Sequence, residues 1–498
     1  MSVALVAVLL LPALGAAVLA LFPARKDQAA RVTGTIFAAA TLIPIVVLPF
    51  ARDDAWTSYS ANPPAVRPWA ELDHPWVPAL RLDFHLGVDG VSYPLIALTG
   101  LLTLLCCGYT MRKVPAGGTG RTLVALLLVL ETGILGTFLA LDLLLFFLFF
   151  EVVLLPMYAV IAGWGGDDRR RAARKFVLYT LFGSVLLLLG VVLVAVTAGT
   201  GDIVQLTGGT GLSRSVQYGA FALFAIAFAV KAPLWPLHTW LPDAHTQAPT
   251  VGSVMLAGVL LKMGTYGLIR IGVGVTPLGA GWAAPVLGVL AVAAVLAGAL
   301  ICLRQTELKR LIAYSSVGHM GFVLLGIATL TATGLQAALL GNVAHGLITG
   351  LLFFLAGAIK DRAHTGELAE LGGLRESAPR LAGLFGFAAI ASLGLPGLAG
   401  FWGEAFAVVA AVERGGGLWV TLAVLAAIGG ALTAAYFLRL LRKLTHGPAR
   451  GSVSPEITGT EWLAWSPLAA LTLAVGVAPV LVLAATSAPV RALTEALR

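Results

Sequence analysis

The stretch AFALFAIAFAVKAPLWPL (residues 220–237) and the nearby VGSVMLAGVLLKMGTYGL (residues 251–268) each place one lysine in an otherwise apolar run. A charged side chain at the bilayer centre costs about 2.5–3.5 kcal/mol even on the lenient insertion scale. Lys231 and Lys262 are therefore expected to face a polar interior rather than lipid. The chain holds eight lysines against 24 arginines. Arginine keeps its proton in proteins, whereas lysine can exchange it, so lysine at these two positions suits a removable proton. Pro233 and Pro236 follow Lys231 and remove backbone donors. In a membrane the freed carbonyls must be satisfied by protein or water. The first stretch thus predicts a broken membrane helix carrying an ionisable group.

The rest of the chain has the same character. It has 498 residues, 59% hydrophobic and 11% charged, with a mean hydropathy of +0.93. Such a composition excludes an ordinary soluble domain. Apolar runs of about 20 residues match the roughly 30 Å hydrocarbon core. They are continuous rather than alternating, which predicts helices and not a barrel. The expected class is an all-α polytopic membrane protein, residues 1–498 forming a single membrane domain. About fourteen transmembrane helices, called spans here, are expected near 2–22, 31–50, 89–111, 120–140, 142–163, 172–197, 217–241, 249–273, 283–302, 308–329, 335–359, 380–411, 417–440 and 461–484. The first lacks a basic leader and has Arg25 and Lys26 after it, so it reads as a retained helix and not a signal peptide. The longest loop, 51–88, is proline-rich and is expected to form an irregular external cap.

Loops after odd-numbered spans carry 22 of the basic residues and the opposite loops eight. The positive-inside rule then puts both termini outside a bacterial plasma (inner) membrane. This bias accounts for the net charge of +8 with no need for nucleic acid.

Span 12 is interrupted at LGLPGLAG, residues 393–400, around Pro396. Paired interrupted helices point to an internal repeat with a transport site at its centre. Spans 7 and 12 are five apart, an odd number, so they cross in opposite senses. Two inverted five-helix repeats are expected, spans 4–8 (120–273) and 9–13 (283–440).

Further ionisable residues lie inside spans. Glu151, in LLLFFLFFEVVLLPMY, is the natural partner for Lys231, unless it only holds helices together in a static ion pair. Glu404 follows the break in span 12 as an acidic counterpart of Lys231. His319 and His345 lie on successive spans, and histidine can relay protons through its two nitrogens. His238, Asp243 and His245 cluster in sequence near the cytoplasmic end of span 7. They read either as a proton entrance or as loop capping. Glu131 is also intramembrane and has no assigned role. The histidines lack metal-ligand spacing, and Cys106, Cys107 and Cys302 match no zinc or iron–sulfur pattern, so no metal or redox centre is expected in this chain. The sum is a row of acid, lysine and histidine at the depth of the bilayer centre.

KAPLWPLHTWLPDAHTQAPTVGSVMLAGVLLKMGTYGLIR (231–270), KRLIAYSSVGHMGFV (309–323) and FFEVVLLPMY (149–158) closely resemble the signatures of the antiporter-like proton-pumping subunits of respiratory NADH–quinone oxidoreductase, complex I. The likeness covers most of the chain. Glu404, where sister chains L and N typically have lysine, and the lack of chain L's long lateral arm resemble the chain M branch. The resemblance implies that Glu151 and Lys231 form an acid–lysine pair, that Lys262 is a central relay, that His319 and His345 connect, and that Glu404 is the terminal site. It implies sister subunits, a peripheral NADH-oxidising arm with FMN and iron–sulfur clusters, and quinone at the junction, none of these cofactors residing in this chain. The expected activity is proton translocation coupled to NADH oxidation, with the proton passing Lys231, Lys262, His319 and His345 to Glu404. A subunit of a multisubunit sodium/proton antiporter or of a membrane-bound hydrogenase is the alternative.

Overall fold

The computed structural model describes residues 2–51, 59–61, 64–77, 82–447 and 456–497. Eleven helices among these are long and apolar enough to cross a membrane, and a twelfth is gained if the pair Gly459–Val477 and Val480–Glu495, bent by 63°, counts as one. The two further spans expected from sequence are the broken ones. Span 7 consists of Arg214–Lys231 and Trp240–Gln247. Span 12 consists of Pro379–Ser392 and Ala399–Arg414. Both breaks fall where the prolines placed them.

Two departures from a straight helix were not expected. Span 5 divides into Leu143–Val152 and Leu154–Trp164, immediately after Glu151. Span 8 contains two π-helical turns, Leu256–Leu260 and Leu268–Val273, which flank Lys262. Such turns widen the helix locally and leave carbonyls without their usual i→i−4 partner.

The ends of the helices follow from local chemistry. Asp142 accepts from the amides of Leu144 and Leu145 and caps span 5, and Glu307 accepts from Arg310 and caps span 10. Each cap lies in the same small bridge. Leu143 N–H donates to Gly201 O at 2.8 Å and Ile203 N–H to Leu141 O at 2.7 Å. In the second half, Leu308 N–H donates to Gly366 O at 2.9 Å and Leu368 N–H to Thr306 O at 2.6 Å. The bridged pairs Asp142–Asp202 and Glu307–Glu367 are 165 residues apart in both members. Spans 5 and 10 cross in opposite senses, so one motif stands at opposite ends of the two halves.

Spans 8 (Thr250–Val273) and 11 (Ala332–Ala363) are buried along their apolar length and span 10 (Leu308–Ala328) nearly so, whereas spans 1, 2, 6 and 13 turn most of their surface outward. Lys231, Lys262, His319, His345 and Glu404 lie on or against these central helices, whereas Glu151 stands between spans 5 and 6. Gly264 allows a close approach between spans 7 and 8. A Cβ there would come within 2.7 Å of Ala232 N and 2.8 Å of Phe228 O, so span 8 lies directly on the break of span 7.

The described part of the 51–88 loop is less irregular than expected. Ala70–Leu72 pairs antiparallel with Leu86–Val88, and Pro75–Val77 pairs with Leu82–Asp83. Leu86 also bridges to Ala140 at the end of span 4, which anchors the loop to the helices.

Candidate proton-relay site

Lys231 is the last residue of its helix segment and is nearly fully buried. Its Nζ lies 4.6 Å from the centre of the Phe150 ring, a cation–π contact. The expected contact with Glu151 is not made. The Glu151 carboxylate instead accepts a hydrogen bond from Ser184 Oγ on span 6. The break after Val152 accompanies this arrangement, with Phe150 against the lysine and Glu151 beside span 6. Trp240 Nε1 reaches back across the break of span 7 to Val230 O at 2.9 Å and satisfies one of the carbonyls exposed there.

Lys262 is completely buried. Its ammonium donates to Ala257 O, a carbonyl within the first π-helical turn, and lies 2.6 Å from His345 Nδ1. One turn on, Thr265 Oγ1 donates to Asn342 Oδ1 at 2.9 Å, so spans 8 and 11 are tied at two adjacent levels. An ammonium donating to Nδ1 would leave the proton of a neutral His345 on Nε2. That nitrogen is buried and has no hydrogen-bond partner.

His345 and His319 lie 5.9 Å apart between ring centres, at an interplanar angle of 61°. His319 Nδ1 is 2.6 Å from Glu404 Oε1, and its Nε2 is 2.9 Å from Ser392 Oγ. Ser392 ends the first half of span 12 and Glu404 stands in the second, so both sides of that break grip one imidazole. Phe437 stacks on the same ring at 6.3 Å. A cavity of about 20 Å³ lies between His319, His345, Thr349, Ser392 and Glu404. That is room for about one water among polar partners.

The structure therefore brings together four of the expected residues in the order Lys262, His345, His319, Glu404. The sequence order had suggested His319 before His345. The inversion arises because His345 on span 11 meets Lys262 on span 8, while His319 on span 10 meets Ser392 and Glu404 at the break of span 12. Lys231 joins the row through the contact of Gly264 with Ala232, not through a polar bond.

His238, Asp243 and His245 do not form one cluster. Asp243 pairs with Lys175 at 2.7 Å and Arg310 at 3.6 Å near the protein surface. His238 packs edge-on to Tyr314 at 6.2 Å. His245 is fully buried, stacked on Phe353 at 4.4 Å, with both ring nitrogens unpartnered. Lys309, not singled out in the sequence, is buried and donates to Ala248 O at 3.0 Å. It sits in KRLIAYSS at the start of span 10, where it reads as an ordinary interfacial cation. Glu131 is fully buried with neither carboxyl oxygen hydrogen-bonded. Among the described residues no three His, Cys, Asp or Glu side chains converge as metal ligands.

Residues 140–429 match the family described as NADH:quinone oxidoreductase/Mrp antiporter, TM. The chain belongs to this family. A Synechococcus sp. (strain JA-3-3Ab) member named NAD(P)H-quinone oxidoreductase chain 4 1 is 44% identical over 378 residues, 75% of this chain and 71% of that protein. A Rhodobacter capsulatus member named NADH-quinone oxidoreductase subunit M is 41% identical over 428 residues, 82% of this chain and 81% of that protein. In the structure of respiratory complex I from Thermus thermophilus with bound NADH, one chain superimposes with a TM-score of 0.88 at 30% identity, covering 99% of this chain and all of that one. A chain of the Mrp complex from Dietzia sp. DQ12-45-1b shares the fold with a TM-score of 0.84 at 24% identity, covering 99% of this chain and 52% of its own length. The family match contains Glu151, Lys231, Lys262, His345, His319 and Glu404 alike.

Proposed function

We propose that this chain is the M-type, or chain 4, membrane subunit of a proton-translocating NADH–quinone oxidoreductase, and that it moves protons along the row just described. The single observation that carries the reading is the continuity of Lys262, His345, His319 and Glu404, with 2.6 Å contacts at both ends and a 5.9 Å step between the two rings. No pocket for a sugar or amino acid competes with it inside the row, where the cavity is only about 20 Å³.

In the proposed cycle a proton enters near Asp243 and His245. Glu151 swings from Ser184 toward Lys231 and holds a proton there by its charge. Its return to Ser184 removes the counter-ion and favours transfer toward Lys262. The proton then crosses to His345, to His319 by one water, and to Glu404, from which it leaves on the external side. Driving one charge against the membrane potential takes about 2.3 kcal/mol per 100 mV. Making and breaking one ion pair in a low-dielectric interior is an energy of that order. The halves 120–273 and 283–440 act as inverted repeats, one around Lys231 and one around Glu404, and the duplicated bridge at Asp142–Asp202 and Glu307–Glu367 supports the pairing.

In this reading sister chains L and N flank the subunit in a bacterial plasma membrane, with both termini outside. FMN, iron–sulfur clusters and quinone belong to partner subunits. A multisubunit sodium/proton antiporter is the second reading, favoured by the fold shared with the Mrp complex. NADH-driven proton uptake by inverted membrane vesicles, measured with and without sodium and lost on deletion of this chain, supports the first reading. Uptake that needs sodium, or that persists without the chain, contradicts it.

A further inference from the structure

At one end of span 13 the structure has a cavity of about 820 Å³ lined by Arg439, Arg442, Lys443 and His446, with Leu368 and Leu371 on the facing loop. No acid lines it. Glu367 and Glu370 belong to that loop but stand outside the cavity. Arg439 is fixed by donating to Leu303 O at 2.6 Å, and the loop is fixed to the helix end by Gly373 N–H donating to His446 O at 3.3 Å. Arg442 and Lys443 are exposed and in no ion pair among the described residues. Three adjacent cations held around a concave surface without a counter-charge repel one another, and an anion placed among them relieves that repulsion.

The helix itself indicates what the anion is attached to. Span 13, Gly416–Thr445, exposes Val420, Val424, Ile428 and Leu438 along one face, at helical spacing, and Arg442 continues the same line. An apolar stripe running down from a basic cup at the membrane–water boundary matches an amphiphile whose head is anionic and whose tails lie along the helix. We propose that this cavity binds the phosphate headgroup of an anionic diacyl phospholipid, with Arg442 and Lys443 as its main ligands and the acyl chains lying on the Val420–Leu438 face.

The test uses the intact purified complex in phosphatidylcholine vesicles carrying a trace of photoactivatable phosphatidylglycerol or photoactivatable phosphatidylcholine, with labelled peptides mapped by mass spectrometry. Phosphatidylglycerol should label the end of span 13 well above phosphatidylcholine in the wild type. Arg442→Gln and Lys443→Gln should each lower that preference about five-fold, and the charge-conserving Arg442→Lys should retain it. Raised salt should weaken it, as expected for exposed charges. Equal labelling by the two lipids in the wild type overturns the proposal, and needs no variant to assemble. So does cross-linking of this segment to a neighbouring subunit in place of lipid. Loss of labelling on adding inorganic phosphate at constant ionic strength would assign the cavity to free phosphate instead.

Discussion

Lys262→Arg separates a proton relay from a static charge. The side chain is fully buried and its ammonium contacts only Ala257 O and His345 Nδ1. A guanidinium keeps the positive charge and can donate to both acceptors. If Lys262 only holds spans 8 and 11 together, arginine replaces it at the cost of some repacking. If Lys262 must hand its proton to His345, arginine fails. The reference proton affinities of arginine and lysine differ by about 2–3 pK units, or about 3–4 kcal/mol. With the surroundings unchanged, that difference slows proton release about 10²–10³-fold. The assay is NADH-driven proton uptake in inverted membrane vesicles, normalised to assembled complex by immunoblot, beside NADH oxidation with an artificial acceptor as a control for the rest of the enzyme. Pumping above about a tenth of wild type in assembled Lys262→Arg would refute the relay at this position, since the calculated slowing is at least about 10²-fold.

Other outcomes follow from the same geometry. Gly264→Ala forces a Cβ to within 2.7 Å of Ala232 N, so spans 7 and 8 must separate; overpacking of about 1–3 kcal/mol and a sharp fall in pumping with retained assembly are expected, and unchanged pumping would show that the closeness of the two lysine-bearing helices is immaterial. Arg270 Nη2 lies 2.6 Å and 2.5 Å from the two Asp89 oxygens in a buried pair, with Tyr266 as a third member. Asp89→Ala leaves the guanidinium without its partner and should cost about 3–5 kcal/mol, read as a lowered unfolding temperature of the detergent-purified complex; an unshifted transition contradicts this. His85 holds two arms of the 51–88 loop together through Glu71 at 2.7 Å and ties them to Asp202, between spans 6 and 7, at 3.7 Å. Burial alone would lower its proton affinity, but the Glu71 hydrogen bond and the Asp202 and Asp73 charges outweigh it and raise it above the ordinary histidine value, while the same contact lowers that of Glu71. The contact is therefore complete from above the ordinary carboxylate range up to histidine's ordinary range, and is lost as pH rises through the raised His85 value. Protection of the Ala70–Leu72 and Leu86–Val88 amides against exchange, corrected for the intrinsic pH dependence, should fall on the alkaline side in the wild type, and a His85→Gln variant should show no such step.

The spans and both helix breaks were legible because membrane length and proline chemistry act locally. The residues of the row were legible because charge inside an apolar run is costly wherever it falls. Their order was not, since it depends on which helices pack together, and His345 adjoins Lys262 although His319 is nearer to it in sequence. Glu151 choosing Ser184 over Lys231, and the π-helical turns around Lys262, likewise depend on neighbouring helices and left no local signature. One signal was present and unused. TGDIVQL at 200–206 and TGELAEL at 365–371 repeat at a spacing of 165 residues, the spacing of the two bridges, and would have placed the repeats without the prolines. Lys309 is hidden for the opposite reason, because an interfacial lysine is ordinary in sequence and only its burial sets it apart.

In the proposed path protons leave through Glu404 after passing His319. Glu404→Gln keeps the shape of the side chain and can still hydrogen-bond His319 Nδ1, but an amide carries no exchangeable acid proton. NADH-driven proton uptake in inverted vesicles, normalised to assembled complex, should fall severely in Glu404→Gln and recover in part in Glu404→Lys, which restores a group able to carry a proton. Wild-type uptake in assembled Glu404→Gln would contradict this path and show that the proton leaves the row before that residue.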